Sequence, residues 1–111
     1  MIRSGGQVRY ETRGESLIVY VGGEIDHHSA IRVRTQIDDA LYLNRPEKLI
    51  IDVGNVDFMD SSGLGLIMGR YAKAKELNIA LIVRDPSPRA KKMLVLAGLE
   101  KIIEIEESEG I

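Results

Sequence analysis

The 111-residue chain contains no cysteine. Disulfides and thiolate metal sites are therefore excluded, and the absence fits a reducing compartment. Long apolar runs are missing too. The longest are short, such as Ala80-Leu81-Ile82-Val83, whereas a membrane span needs roughly 20 apolar residues. Charge of one sign is not in excess: the net charge is −2 with 29% charged residues. That near balance argues against a dedicated nucleic-acid binder, which carries a basic excess. After Met1, the segment Ile2-Arg3-Ser4-Gly5-Gly6-Gln7 has no apolar core of a leader. A cytoplasmic protein without membrane or nucleic-acid partners is expected. Repeats, linkers and low-complexity tracts are absent apart from a short acidic tail.

What is present is enough apolar material, 44% of residues, to pack one core. One domain over residues 1–111 is expected. Val8 to Thr12 and Leu17 to Val21 are β-branched and aromatic runs around Gly14-Glu15, a hairpin pattern. Gly22-Gly23 is expected to break the second strand. Ala30, Val33, Ile37, Ala40 and Leu41 recur at helical spacing, predicting a helix from about Ser29 to Leu43, ended by Asn44-Arg45-Pro46. Leu49-Ile50-Ile51-Asp52-Val53 reads as a strand buried on both faces. A second helix starts near Ser61 or Ser62, with Leu64, Ile67, Met68, Tyr71, Ala74 and Leu77 as its buried stripe, and stops at Asn78. Ala80 to Val83 is the next strand. Ser87 caps a helix from about Pro88 to Ala97, closed by Gly98, and Lys101 to Ile105 is a last short strand. The order β-β-α-β-α-β-α-β predicts an α/β domain with a central mixed, mostly parallel sheet and right-handed crossovers. In such sheets ligands and partners meet the loops at strand carboxyl ends. Asp60–Gly65 leaves one such end, and Glu24–His28 follows another.

Asp60-Ser61-Ser62 opens the second helix. Backbone N–H groups there have no internal partner, and the helix dipole makes that end positive. A serine can cap such an end, or carry a phosphate that the end stabilises. Capping alone is the plain alternative. Against it, two hydroxyls stand where one cap suffices. Gly63 and Gly65 also sit in the first turn, each costing about 1 kcal/mol relative to alanine. These glycines are expected to let a partner's backbone come close. Phe58-Met59 places apolar bulk beside the site, as contact surface or as core anchor.

Phe58-Met59-Asp60-Ser61-Ser62-Gly63-Leu64-Gly65 resembles the phosphorylation-site signature of the STAS-domain anti-sigma factor antagonists. Gly22-Gly23-Glu24-Ile25-Asp26-His27-His28 resembles that family's second signature, and Gly69-Arg70-Tyr71 extends the match. Together they are most similar to the sporulation branch, the antagonists of anti-sigma F. The resemblance implies a non-enzyme with no cofactor of its own. Its unphosphorylated form would bind an anti-sigma factor that is also a serine kinase, releasing the sigma factor. The kinase, using its own ATP, would phosphorylate Ser61, and a serine phosphatase would reverse this. A monomer is expected. Asp26, His28, Asp60, Ser61, Ser62, Gly63, Leu64 and Gly65 are the expected partner-binding residues, with Met68 adding apolar contact if exposed. Related antagonists of a general stress cascade or a sensor complex would share these features. Family members usually end with another helix. Here Glu106-Glu107-Ser108-Glu109-Gly110-Ile111 is expected to leave it shortened or absent, with the covering of one sheet face in doubt.

Other chemistries fit less well. Glu24, Asp26, His27 and His28 have the atoms for a metal, but no further histidine exists to complete a site. Gly63-x-Gly65-x-x-x-Gly69 approximates a dinucleotide fingerprint with its third glycine one place late. A long stretch is expected between strand and glycines, and the chain is too short for two mononucleotide halves. No P-loop is present. Ser61 lacks the elbow of a serine hydrolase, and only His27 or His28 could serve as base. Arg89, Lys91 and Lys92, and the acidic run Glu104 to Glu109, read as solvated surface.

Overall fold

Alternating β-branched runs and helical periodicities build one sheet and one helical layer. The computed structural model describes residues 6–108. Its elements are β1 (Gln7–Arg13), β2 (Ser16–Ile25), α1 (His27–Asn44), β3 (Lys48–Met59), α2 (Ser61–Glu76), β4 (Ala80–Arg84), α3 (Pro88–Leu96), a 3-10 turn (Leu99–Lys101) and β5 (Glu104–Glu106). The sheet runs β1-β2-β3-β4-β5. β1 is antiparallel to β2, and the other three pairings are parallel. This is the expected α/β order. Lys101 lies in the 3-10 turn and not in the last strand. No helix among the described residues is long and apolar enough to cross a membrane. The expected shortening of the family's terminal helix falls partly on residues 109–111, outside the described residues.

Each crossover steps one strand in the same direction. Right-handed connections of that kind put every helix on the same face of the sheet. The core agrees: Leu17, Val19, Val21, Leu49, Ile51, Val53, Leu81 and Val83 cluster with Val33, Ile37 and Leu41 of α1, Ile67 of α2 and Leu94 of α3. Among the described residues the buried apolar cluster on the opposite face is Ile18, Ile50 and Ile82, with Tyr20 packed beside them. These isoleucines are paired in one cross-strand row. The next row is Arg9, Tyr20, Asp52 and Arg84. Arg9 sits 4.3 Å over the Tyr20 ring, and Arg84 Nε donates to Asp52 Oδ2 at 2.8 Å. In place of a helix, the row beside the isoleucines thus carries a stacked arginine and an ion pair.

Two departures from the sequence reading shape the site. Gly22-Gly23 does not end β2. The register slips between Tyr20 and Gly22 and again between Gly23 and Glu24, with Gly23 at φ 80°. These bulges absorb the glycines, and pairing resumes at Glu24–Phe58 and Ile25–Met59. β3 therefore runs on to Met59. The stripe of α2 is also rotated. Gly63, Leu66, Ile67, Arg70 and Ala74 are buried, while Met68 is 49% exposed. Leu64, Tyr71 and Leu77 pack at the core's margin. Asn78 does stop the helix, at φ 59°.

Arg70 is a charge inside this interface. Its Nε lies 2.9 Å from Asp38 Oδ1 on α1. That contact lacks hydrogen-bond alignment, and Arg70 Nη1 has no hydrogen-bond partner among the described residues. Burial pulls the Arg70 pKa below its usual value. Asp38 opposes this, and Arg34 adds to it. Removing one member strands the other, which is the expensive case for a buried pair. Asp38→Ala is therefore expected to destabilise the fold by about 3 kcal/mol in urea unfolding, and joint replacement by Asp38→Leu and Arg70→Met by clearly less. Equal losses would show that the pair carries no such penalty.

Candidate functional site

The site forms where two adjacent parallel strands end level with each other. Ile25 closes β2 beside Met59, which closes β3. One residue after each strand a helix starts. Asp26 caps α1 and Asp60 caps α2, both with extended backbone. The Asp60 N–H donates to Ile25 O at 3.2 Å, tying the two starts together. Two positively polarised helix ends therefore open side by side.

The caps are carboxylates, not hydroxyls. Asp60 Oδ1 accepts from Ser62 N at 2.7 Å. Asp26 Oδ1 accepts from His28 N at 3.0 Å and Ser29 N at 2.9 Å, while Ser29 Oγ accepts from Asp26 N at 2.9 Å. This closes a capping box. The backbone donation from Ser29, ahead of the other contacts, holds the Asp26 carboxyl below its ordinary value of 3.8. A depressed folded value means the cap is fully formed above the ordinary value and is lost as pH falls through the lower one.

Because Asp60 does the capping, neither Ser61 nor Ser62 does. Ser61 is the first residue of α2 and is exposed; Ser62 is half-buried. Among the described residues the Ser61 hydroxyl has no hydrogen-bond partner. The plain capping reading of that serine is overturned, and an unengaged hydroxyl stands at a positive helix end.

Residues 7–110 match the family model described as the STAS domain. The anti-sigma F factor antagonist of Paenibacillus polymyxa is 38% identical over 103 residues, covering 93% of this chain and 88% of that protein. The anti-sigma-B factor antagonist of Listeria monocytogenes is 32% identical over 92 residues, covering 83% and 80%. The anti-sigma factor antagonist SpoIIAA, solved in its unphosphorylated form, superposes with a TM-score of 0.79 at 27% identity, covering 93% and 89%; the phosphorylated form of the Bacillus protein gives 0.75 at 27%, covering 93% and 92%.

This chain belongs to the STAS-domain family of anti-sigma factor antagonists.

In this STAS domain the expected contact residues divide. Asp26, Asp60, Ser61 and Ser62 are brought together by the paired strand ends. A groove of about 240 Å³ beside them is lined by His27, Ala30, Ile31 and Arg34 of α1 and Ser62, Gly65 and Leu66 of α2. His27 lines it and His28 does not, although His28 is exposed. Arg34 and Ile31 were not singled out by sequence. Their signal was available, since His27, Ala30/Ile31 and Arg34 recur at helical spacing on one face of α1. Phe58 is 44% exposed and offers apolar contact, whereas Met59 is a buried anchor. Leu64 is half-buried against the core margin.

The two glycines have different reasons. A Cβ on Gly63 would lie 2.0 Å from Met59 Cγ and 2.6 Å from Met59 Sδ. Gly63 faces inward, so the expectation that it admits a partner's backbone is wrong; it admits Met59. A Cβ on Gly65 meets nothing within 4 Å. That position is open, and its glycine serves no internal packing need. The same geometry corrects the dinucleotide argument. No long stretch separates strand and glycines, because β3 reaches Met59. What opposes a phosphate cradle at Gly63 is that Met59 already fills the space.

Among the described residues no group of three His, Cys, Asp or Glu is placed to hold a metal. In the basic cluster, Lys91 pairs with Glu107 at 2.9 Å.

Opposite signs are therefore expected for one substitution at two sites. Gly63→Ala should destabilise by about 1–3 kcal/mol through overpacking against Met59. Gly65→Ala should stabilise by up to about 1 kcal/mol through helix propensity. Urea unfolding of the two variants checks both, and equal effects would contradict the packing difference.

Proposed function

We propose that the chain is a phosphate-switched antagonist. Its unmodified form binds an anti-sigma factor that is also a serine kinase and so releases a sigma factor. The reading rests above all on the exposed, unengaged Ser61 hydroxyl at the start of α2, with capping already supplied by Asp60. The partner kinase transfers the γ-phosphoryl of ATP to Ser61 Oγ; the hydroxyl proton leaves and ADP departs. A serine phosphatase hydrolyses the ester and resets the switch. The chain itself performs no catalysis and needs no cofactor.

The chemistry of the off-state follows from charge. A phosphate adds about −1.5 to −2 charge and three acceptor oxygens. Asp60 is adjacent and Asp26 stands at the neighbouring helix start, so the local surface becomes strongly anionic. A partner fitted to a neutral hydroxyl then meets bulk, desolvation and like charge. The two helix N-termini keep the same dianion tolerable for the antagonist's own fold. Gly65, Phe58 and Met68 supply open or apolar surface around the serine, and Asp26, His28, Ser62 and Leu64 frame it. Gly63 acts from beneath.

The sigma F pathway is the first choice of partner, supported by the Asp26-His27-His28 segment and by the 38% identical relative named for anti-sigma F. A general-stress partner is the second reading, supported by the 32% identical relative named for anti-sigma B.

Incubation with ATP and the anti-sigma F kinase is expected to add one phosphate, at Ser61, and incubation with ATP alone none. Ser61→Ala should remain unmodified and bind the kinase. Ser61→Asp should bind at least about 100-fold more weakly, near 3 kcal/mol. Mass spectrometry and calorimetry check these outcomes. Phosphate on Ser62 in Ser61→Ala would move the acceptor by one residue, and nucleotide turnover without a partner would overturn the reading.

A further inference from the structure

We infer that the free edge of β1 is an interface for a second copy of this chain, joining two five-stranded sheets antiparallel across a twofold axis. Among the described residues β1 pairs with β2 and is the edge strand of the sheet. It is seven residues long, with no proline and no register shift. Natural edges of that kind are usually blocked by such devices.

The hairpin geometry says which backbone groups are free. Arg13 and Ser16 flank the two-residue turn Gly14-Glu15, with Gly14 at φ 61°. A two-residue turn makes the flanking residues the first pair that exchanges both bonds. Counting back, Glu11, Arg9 and Gln7 also point their backbone at β2. Val8, Tyr10 and Thr12 therefore turn N–H and C=O outward, a three-residue ladder ready for another strand.

Charge and ladder length then select the register. Arg9 and Glu11 lie on the sheet face opposite the helices, since they pair with Tyr20 and Ile18. Antiparallel pairing that matches faces must be centred on one residue. Centring on Arg9 sets Arg9 against the partner's Arg9. Centring on Glu11 sets Glu11 against the partner's Glu11, and Arg9 against the partner's Arg13. Centring on Tyr10 sets Arg9 against the partner's Glu11 twice and pairs all three outward residues, whereas centring on Thr12, which sets Glu11 against the partner's Arg13, runs Tyr10 into the partner's turn at Gly14. In the Tyr10-centred register Arg9 and Glu11 stand at non-hydrogen-bonded positions, where side chains approach most closely. Val8 then faces the partner's Thr12, and Tyr10 the partner's Tyr10, with both exchanging backbone bonds. On the helix side, Tyr10 is 41% exposed and Leu43 84% exposed. They line an open groove of about 490 Å³ between β1 and α1, which the added strand would cover. The edge is therefore self-complementary over its whole outward ladder in the Tyr10-centred register, against the monomer expected from the family resemblance. It lies at the far side of β2 from Ser61 and leaves that serine free.

Sedimentation of the full chain from micromolar to millimolar concentration tests this. A monomer–dimer equilibrium is expected. Arg9→Glu or Glu11→Arg alone should raise the dimer dissociation constant about tenfold, and Arg9→Glu with Glu11→Arg together should restore it. A chain that stays monomeric throughout, or a dimer indifferent to either reversal, overturns the inference. A second measurement guards against a variant that does not fold. The chain has no cysteine, so Arg9→Cys and Glu11→Cys proteins, mixed and oxidised, report register directly. Mixed disulfides in excess over either homodimer support the Tyr10-centred pairing. Homodimers in excess overturn it.

Discussion

The molecule depends on how the ends of β2 and β3 are locked together. Ile25 and Met59 pair at the last position of each strand, and the Asp60 N–H closes on Ile25 O. Met59 then fills the space that any side chain at position 63 would need. Close packing makes that contact unforgiving, because the interior has no slack to absorb an extra methyl group. With Gly63 turned inward, the rotation of α2 is set, and Ser61 on the other side of the first turn must face solvent.

The same lock sets the electrostatics. Two helix starts held level present backbone donors in one direction, and each is capped by its own aspartate. The caps satisfy part of the helix-end demand and leave the serine hydroxyl unused. The positively polarised end therefore stands open beside that hydroxyl. The one-sided sheet completes the picture. Among the described residues the helices lie on one face, and the opposite face presents an isoleucine row beside a row of stacked and paired charges. The strand-end region is thus one exposed rim of a rigid plate.

Much of this was legible in the sequence because local rules govern it. The order of elements followed from β-branched runs and helical spacing, and Asn78, Ser87 and Gly98 punctuate the chain as their chemistry requires. The Asp-Ser-Ser segment was found from its place at a helix start. Sequence did not reveal what tertiary packing decides. Gly22-Gly23 looked like a strand break, but bulges absorb it. Met68 looked buried on a 3.6-residue count, but Gly63 against Met59 rotates the helix and exposes it. Arg70 stood only as part of a family segment, and nothing local marked it as the partner of Asp38 inside the helix interface. Gly63 and Gly65 looked alike because glycine carries no mark of which side of it is crowded. Arg34 escaped notice because the groove it lines exists only once α1 lies beside α2.

The decisive measurement is a crystal structure of the chain carrying phosphate on Ser61. Residues 58–65 are expected to superpose on the unmodified form, with the Asp60–Ser62 cap and the Met59–Gly63 contact intact and only surface charge changed. A displaced or unwound start of α2 would show that the modification acts through the backbone, and would contradict that expectation.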